Sequence, residues 1–163
     1  MNEDRMVTIT IRGLPVPLHA ASQAHGDELM REFRLIAEQM RQEGTEGVPR
    51  RLIELVNALE GQYSTFTEAQ EDELESAIAS GATTVDLVYE LPAHIGDGVR
   101  ALGAILDEVD EMCRDGQHLL TLCTPTDQVA YRRWFLDEFT RQVDGAAPVA
   151  WADSPQARLL PTA

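Results

Sequence analysis

The sequence predicts a mixed domain of the α/β or α+β class. It is read as a small three-stranded sheet with about five helices, in the order β-α-α-α-β-α-β-α, the helices lying mainly on one face. Three observations predict it. Met6 to Arg12 and Thr84 to Leu91 alternate apolar and polar residues with the period of a half-buried strand. Longer segments repeat apolar residues at spacings of three and four, the mark of amphipathic helices. An apolar run, Leu119-Leu120-Thr121-Leu122-Cys123, leads straight into Thr124-Pro125-Thr126-Asp127, a strand feeding a helix start.

Taken in order, the first strand sets Val7, Ile9 and Ile11 against Thr8, Thr10 and Arg12, and Gly13-Leu14-Pro15-Val16-Pro17 ends it. A long helix follows with Leu18, Ser22, His25, Leu29, Phe33, Ile36 and Met40 on one stripe, loosened at Gly26. Pro49 opens a second helix with Leu52, Leu55, Val56 and Leu59 buried. Thr67 and Gln70 form a capping box for a third, which Gly81 stops, although the two could instead be one bent helix. The second strand places Val85, Leu87, Tyr89 and Leu91 on one side and ends at Pro92. The next helix carries Ile95, Val99, Leu102, Leu106, Val109 and Cys113, with Asp107, Glu108, Asp110 and Glu111 on its other face. With the run ending at Cys123, this makes a βαβ unit, for which right-handed crossover and parallel pairing are the rule.

A chain of 163 residues suits one domain, here residues 1–152, with 153–163 as a flexible tail after the Gly145-Ala146-Ala147-Pro148 stretch. The net charge of −15 opposes nucleic-acid and membrane-surface roles. All thirteen basic residues are arginine, so chemistry that needs a lysine amine, such as a Schiff base or a Walker A lysine, is excluded. A strand between Cys113 and Cys123 would hold them roughly 17 Å apart, too far for a disulfide. No apolar segment spans a membrane, and the expected compartment is the cytoplasm.

Few residues suggest chemistry. His19, His25, His94 and His118 include no pair at the spacing of a helical zinc clamp, so neither metal nor cofactor is expected. His25, on the apolar stripe, reads first as a hydrogen-bonded core histidine. His94 and Asp97, near a strand end, and Arg132, set into the apolar side of the last helix, are candidate ligand-binding residues. On that helix Trp134 faces away from Tyr131, Phe135 and Phe139. Flanked by Arg133, Glu138 and Arg141, it has the composition of an interaction hot spot, to which Trp151 could contribute. In the competing arrangement the tail folds back and the two tryptophans cover each other.

Leu120-Thr121-Leu122, Thr124-Pro125, Tyr131-Arg132-Arg133-Trp134, Glu138-Phe139, Arg141-Gln142 and Pro148 with Trp151 together resemble small proteins of high-GC Gram-positive bacteria associated with anti-sigma and partner-switching stress-signalling genes. The resemblance implies a non-catalytic regulatory or adaptor domain with a protein partner, which homodimerisation would also fit. The alternatives are an anion-sensing domain built on Arg132 and Arg133, and an enzyme using Asp86 or Glu90 with His94.

Overall fold

Val7, Ile9, Ile11 and Leu14 from one strand and Leu87, Tyr89 and Leu91 from the other form a buried apolar sheet face. Thr8, Arg12, Asp86, Val88 and Glu90 are exposed on the opposite face. In a computed structural model that describes residues 5–45, 47–115 and 123–162, these strands are β1 (Met6–Pro15) and β2 (Thr84–Pro92). They pair antiparallel, Met6 opposite Pro92 and Pro15 opposite Thr84. The register slips by one residue between Ile11 and Leu14, where Gly13 adopts φ 59° and its N–H donates to Asp86 Oδ1 at 2.7 Å. This bulge keeps Leu14 on the buried face two positions after the alternation would have ended, so β1 extends past the expected stop at Gly13.

Among the described residues there are four long helices: α1 (Val16–Gln42), α2 (Val48–Ser80), α3 (Ile95–Arg114) and α4 (Thr126–Val143). A 3₁₀ turn at Trp151–Asp153 and the short α5 (Pro155–Arg158) follow. The order is therefore β-α-α-β-α-α, then the 3₁₀ turn and α5. The two expected helices between Pro49 and Gly81 are one, because Thr67 bonds back to the Ser64 carbonyl inside the helix instead of capping a new one. Gly81 ends it in the left-handed conformation, φ 74°.

The expected three-stranded sheet with a parallel βαβ unit is corrected to a two-stranded antiparallel ribbon among the described residues. Residues 119–122 of the expected third strand lie outside the described residues, and Cys123, which is described, belongs to no strand. The ribbon's edges give the physical reason. Thr10 and Val88 are directly opposite, and their outward backbone groups are taken by side chains. Gln142 of α4 accepts from the Thr10 N–H and donates to the Thr10 carbonyl, both at 2.8 Å, as a neighbouring strand would. Gln70 of α2 donates to the Val88 carbonyl. With both edges engaged at their centres, a third strand has no place to add there.

The core divides into two clusters. The first packs the ribbon against Tyr63, Leu74, Ala77, Ile95, Val99, Tyr131, Trp134 and Phe139. The second, purely helical, centres on Leu29, Phe33, Leu52, Ile105 and Val109. Among the described residues no helix is long and apolar enough to cross a membrane.

A Cβ at residue 13 would stand 3.8 Å from Ala150 Cβ, so space is not limiting and the left-handed backbone is the whole cost. Gly13→Ala should lower unfolding free energy by about 1–2 kcal/mol in urea denaturation, and Gly13→Asn by less, since asparagine tolerates this conformation. Equal losses for both would place the cost elsewhere.

Candidate functional site

Along the inner stripe of α1 the residues between Leu18 and Leu29 are small or polar, and there the two core clusters fail to merge. A cleft of about 300 Å³ opens between α1, α3 and α4. Its walls are Leu29, Leu102, Leu106, Tyr131, Phe135 and Leu136, and its polar atoms come from His19, Ser22, His25, Thr124, Gln128 and Arg132. Tyr131 and Phe135 stack at 6.0 Å between ring centres, and Phe135 meets Phe139 at 5.1 Å, so the aromatic wall is continuous with the ribbon core.

Most polar groups at the cleft are already paired. His19 Nδ1 lies 2.6 Å from the Tyr131 hydroxyl. Burial lowers the His19 pKa and raises that of Tyr131, so both stay neutral at physiological pH. His25 Nε2 is 3.2 Å from Thr124 Oγ1, which donates to Asp110 Oδ1 at 2.9 Å. Two atoms are the exceptions: Ser22 Oγ and Gln128 Oε1 are buried without a hydrogen-bond partner. A buried acceptor left open in this way costs about 1–3 kcal/mol, a penalty that a bound donor removes.

The sequence-derived candidates separate. Arg132 lines the cleft, but its guanidinium is held by Asp107 at 2.7 Å and Asp110 at 2.9 Å, with its side chain only 16% exposed. The carboxylates expected to form a solvated face thus supply its counter-charge. Arg133 reaches Asp107 at 3.3 Å and is otherwise exposed. His94 turns instead to α2, with Nδ1 2.5 Å from the Tyr63 hydroxyl, and Asp97 pairs with Arg100 on its own helix. Arg132, His94 and Asp97 therefore do not converge. Asp86 and Glu90, the carboxylates considered with His94, are bonded on the outer sheet face to the Gly13 N–H and the Thr8 hydroxyl.

The centre of the expected interaction surface is interior, while Arg133 is exposed and Arg141 and Trp151 are half-buried. Trp134 is 1% exposed and Glu138 2%, which corrects their reading as an exposed hot spot. The returning tail covers them, as in the competing arrangement: Trp134 Nε1 donates to the Val149 carbonyl at 2.9 Å and meets Trp151 edge-on at 5.6 Å. Glu138 accepts from Arg141, from Gln142 Nε2 and from the Val149 N–H. Residues 151–158 likewise carry defined structure, with Ser154 fully buried and its hydroxyl accepting from the Ala157 N–H, in place of a tail flexible from 153.

The cysteines are also closer than the strand reading implied. The Thr124 hydroxyl bonds Asp110, one turn before Cys113 on α3, so Cys123 is carried to that end of the helix. Among the described residues no group of three or more His, Cys, Asp and Glu side chains could hold a metal ion. Sequence reasoning had put Ser22 and His25 on the apolar stripe, a sign of the cleft in hindsight. Nothing local marked His19 or Gln128. In comparisons with protein-family models, curated proteins and solved structures, nothing matches the chain.

Trp134→Ala removes a buried ring and an indole hydrogen bond, so about 3–5 kcal/mol of stability should be lost in urea unfolding; a near-wild-type midpoint would mean that the ring is dispensable. Burial also makes His19 a source of pH dependence. The unfolded chain takes up the His19 proton near the ordinary pKa of 6.5, whereas the folded protein resists until lower pH. The stability contributed by neutral His19 is therefore complete above that pH and lost as pH falls through the folded-state pKa. His19→Gln should flatten the urea midpoint between neutral and mildly acidic pH, and an unchanged slope would assign the dependence to other groups.

Proposed function

We propose that the chain is a non-catalytic regulatory domain whose input is a neutral, largely apolar small molecule bound between α1, α3 and α4. The observation that carries this reading is the pair of unpartnered polar atoms, Ser22 Oγ and Gln128 Oε1, at a cleft otherwise walled by leucines and aromatic rings. An apolar pocket with a few convergent polar groups is the usual form of a small-molecule site. Gln128 Oε1 calls for a donor on the ligand, such as a hydroxyl, and Ser22 can give or take a second hydrogen bond.

Charge argues for a neutral ligand. The anion-sensor version needs Arg132 and Arg133 free, but both guanidiniums share Asp107 and Arg132 also holds Asp110. An added anion would have to displace a carboxylate in a chain of net charge −15. The regulatory role that the resemblance implies is compatible with such a domain. Its protein partner would meet the open outer face of the ribbon, where Met6 is 48% and Val88 51% exposed.

Medium-chain alkanols, each beside its methyl ether, test the reading by thermal unfolding. The alkanols should raise the midpoint in a saturable way. The ethers, lacking the donor, should bind about five- to tenfold more weakly, as expected for one neutral hydrogen bond. Leu106→Trp, which fills the cleft, should remove the shift while circular dichroism shows the fold retained. A shift that survives the substitution, or no shift with any alkanol, overturns the proposal.

A further inference from the structure

Cys113 lies near the end of α3, half-buried, and Cys123 lies exposed just before Thr124, ten residues further along the chain. Thr124 Oγ1 bonds to Asp110, which precedes Cys113 by one helical turn, so the residue before Thr124 is brought against that end of α3. Cys123 thus comes to lie beside Cys113, on the same end of the helix. We infer that Cys113 and Cys123 form a peroxide-responsive dithiol that closes to an intrachain disulfide at the rim of the cleft.

The two sulfurs have unequal roles. The Cys113 thiol is pushed up to about 12, first by burial, then by its hydrogen bond with Cys123 and by the negative charge of Cys123, Asp110 and Glu32, so it stays protonated. Cys123 is exposed and is the sulfur that an oxidant reaches. The Cys123 thiol loses its proton to solvent, and its thiolate attacks one oxygen of hydrogen peroxide. The S–O bond forms, the O–O bond breaks, and the departing hydroxide takes up a proton to become water. The Cys113 sulfur then attacks the resulting sulfenic acid. The S–S bond forms, the S–O bond breaks, and the hydroxyl leaves as a second water with the Cys113 proton. Two thiols lose two electrons in all, and one peroxide is reduced to two waters.

The bond would act on the cleft directly, since Thr124, adjoining Cys123, bridges Asp110 and His25 at its rim. Its formation is independent of any ligand there.

The test exposes the native full chain to hydrogen peroxide, blocks remaining thiols by alkylation and reads intact mass and tryptic peptides. Wild type should lose two hydrogens and resist alkylation at both of its two cysteines. Because Arg114 separates them, trypsin should yield two peptides joined until reduction. Cys113→Ser should leave a sulfenic acid at Cys123 that dimedone traps. Cys123→Ser should slow oxidation of Cys113 by about tenfold or more relative to Cys123 in the first variant. Disulfides joining two chains, equal and independent oxidation of the two thiols, or full alkylation after peroxide would each overturn the inference.

Discussion

The buried carboxylate of Glu138 is the constraint from which the arrangement of the last helix follows. A charge taken out of water at 2% exposure is tolerated only when its oxygens are fully engaged. Here the donors are Arg141 one turn along, Gln142 on the same face, and the Val149 N–H from beyond the helix. Each donor has a second attachment. Arg141 also reaches the Ala147 carbonyl, Gln142 holds both backbone groups of Thr10, and the Val149 carbonyl receives the Trp134 indole. One carboxylate thus links α4 to the edge of β1 and to the returning tail. In a network of this kind the loss of one member leaves the others unsatisfied, so its stability is cooperative.

The ribbon depends on that network. Two antiparallel strands are marginal alone, and these become a stable layer because helices cover one face and glutamines occupy both edges. Gln142 mimics a strand on one side and Gln70 engages the other. Among the described residues, strand number is therefore limited by side chains of α2 and α4 more than by the strands' own pattern. The cleft has a comparable origin. α4 is drawn toward β1 by Gln142 while α1 and α2 run on to build their own cluster with α3, and the seam between the two cores falls where α1 carries Ser22, His25 and Gly26.

Local pattern carried much of this. The alternation of Val7, Ile9 and Ile11 and of Leu87, Tyr89 and Leu91 marks the buried sheet face, and the four-three spacing from Ile95 to Cys113 marks α3, because each signal is confined to a few turns or residues. What escaped depends on contacts distant in the chain. Trp134 read as outward because Tyr131, Phe135 and Phe139 occupy the opposite side of the wheel, yet both sides of α4 are covered, one by the core and the other by residues 147–151. The clue was the stripe Trp134, Glu138, Gln142, spaced four residues apart, which needs a cover to make sense of its polar members. That tail, rich in alanine, glycine and proline, carries little apolar signal and read as loose because it is held by Glu138 and Trp134 more than by its own side chains. The cysteine separation failed for a similar reason: the assumption of an extended run up to Cys123 fixed a distance, and the Thr124–Asp110 bond overrides it.

Positions that break a local rule without helping the core are where function is to be sought. Most rule-breaking residues of this chain have a structural use. Glu138 and Gln142 hold the tail and the sheet edge, and Asp107 and Asp110 neutralise Arg132. The inner stripe of α1 is different. Leucine or isoleucine in place of Ser22 would bring the two clusters nearer to a single core and leave no polar atom open. Serine there, with Gln128 across the cleft, leaves two hydrogen-bonding positions that the fold does not fill. His19 and His25, hydrogen-bonded to Tyr131 and Thr124, frame those positions without competing for them. The fold needs none of the unpaired atoms, and a neutral ligand bearing a hydroxyl would use both.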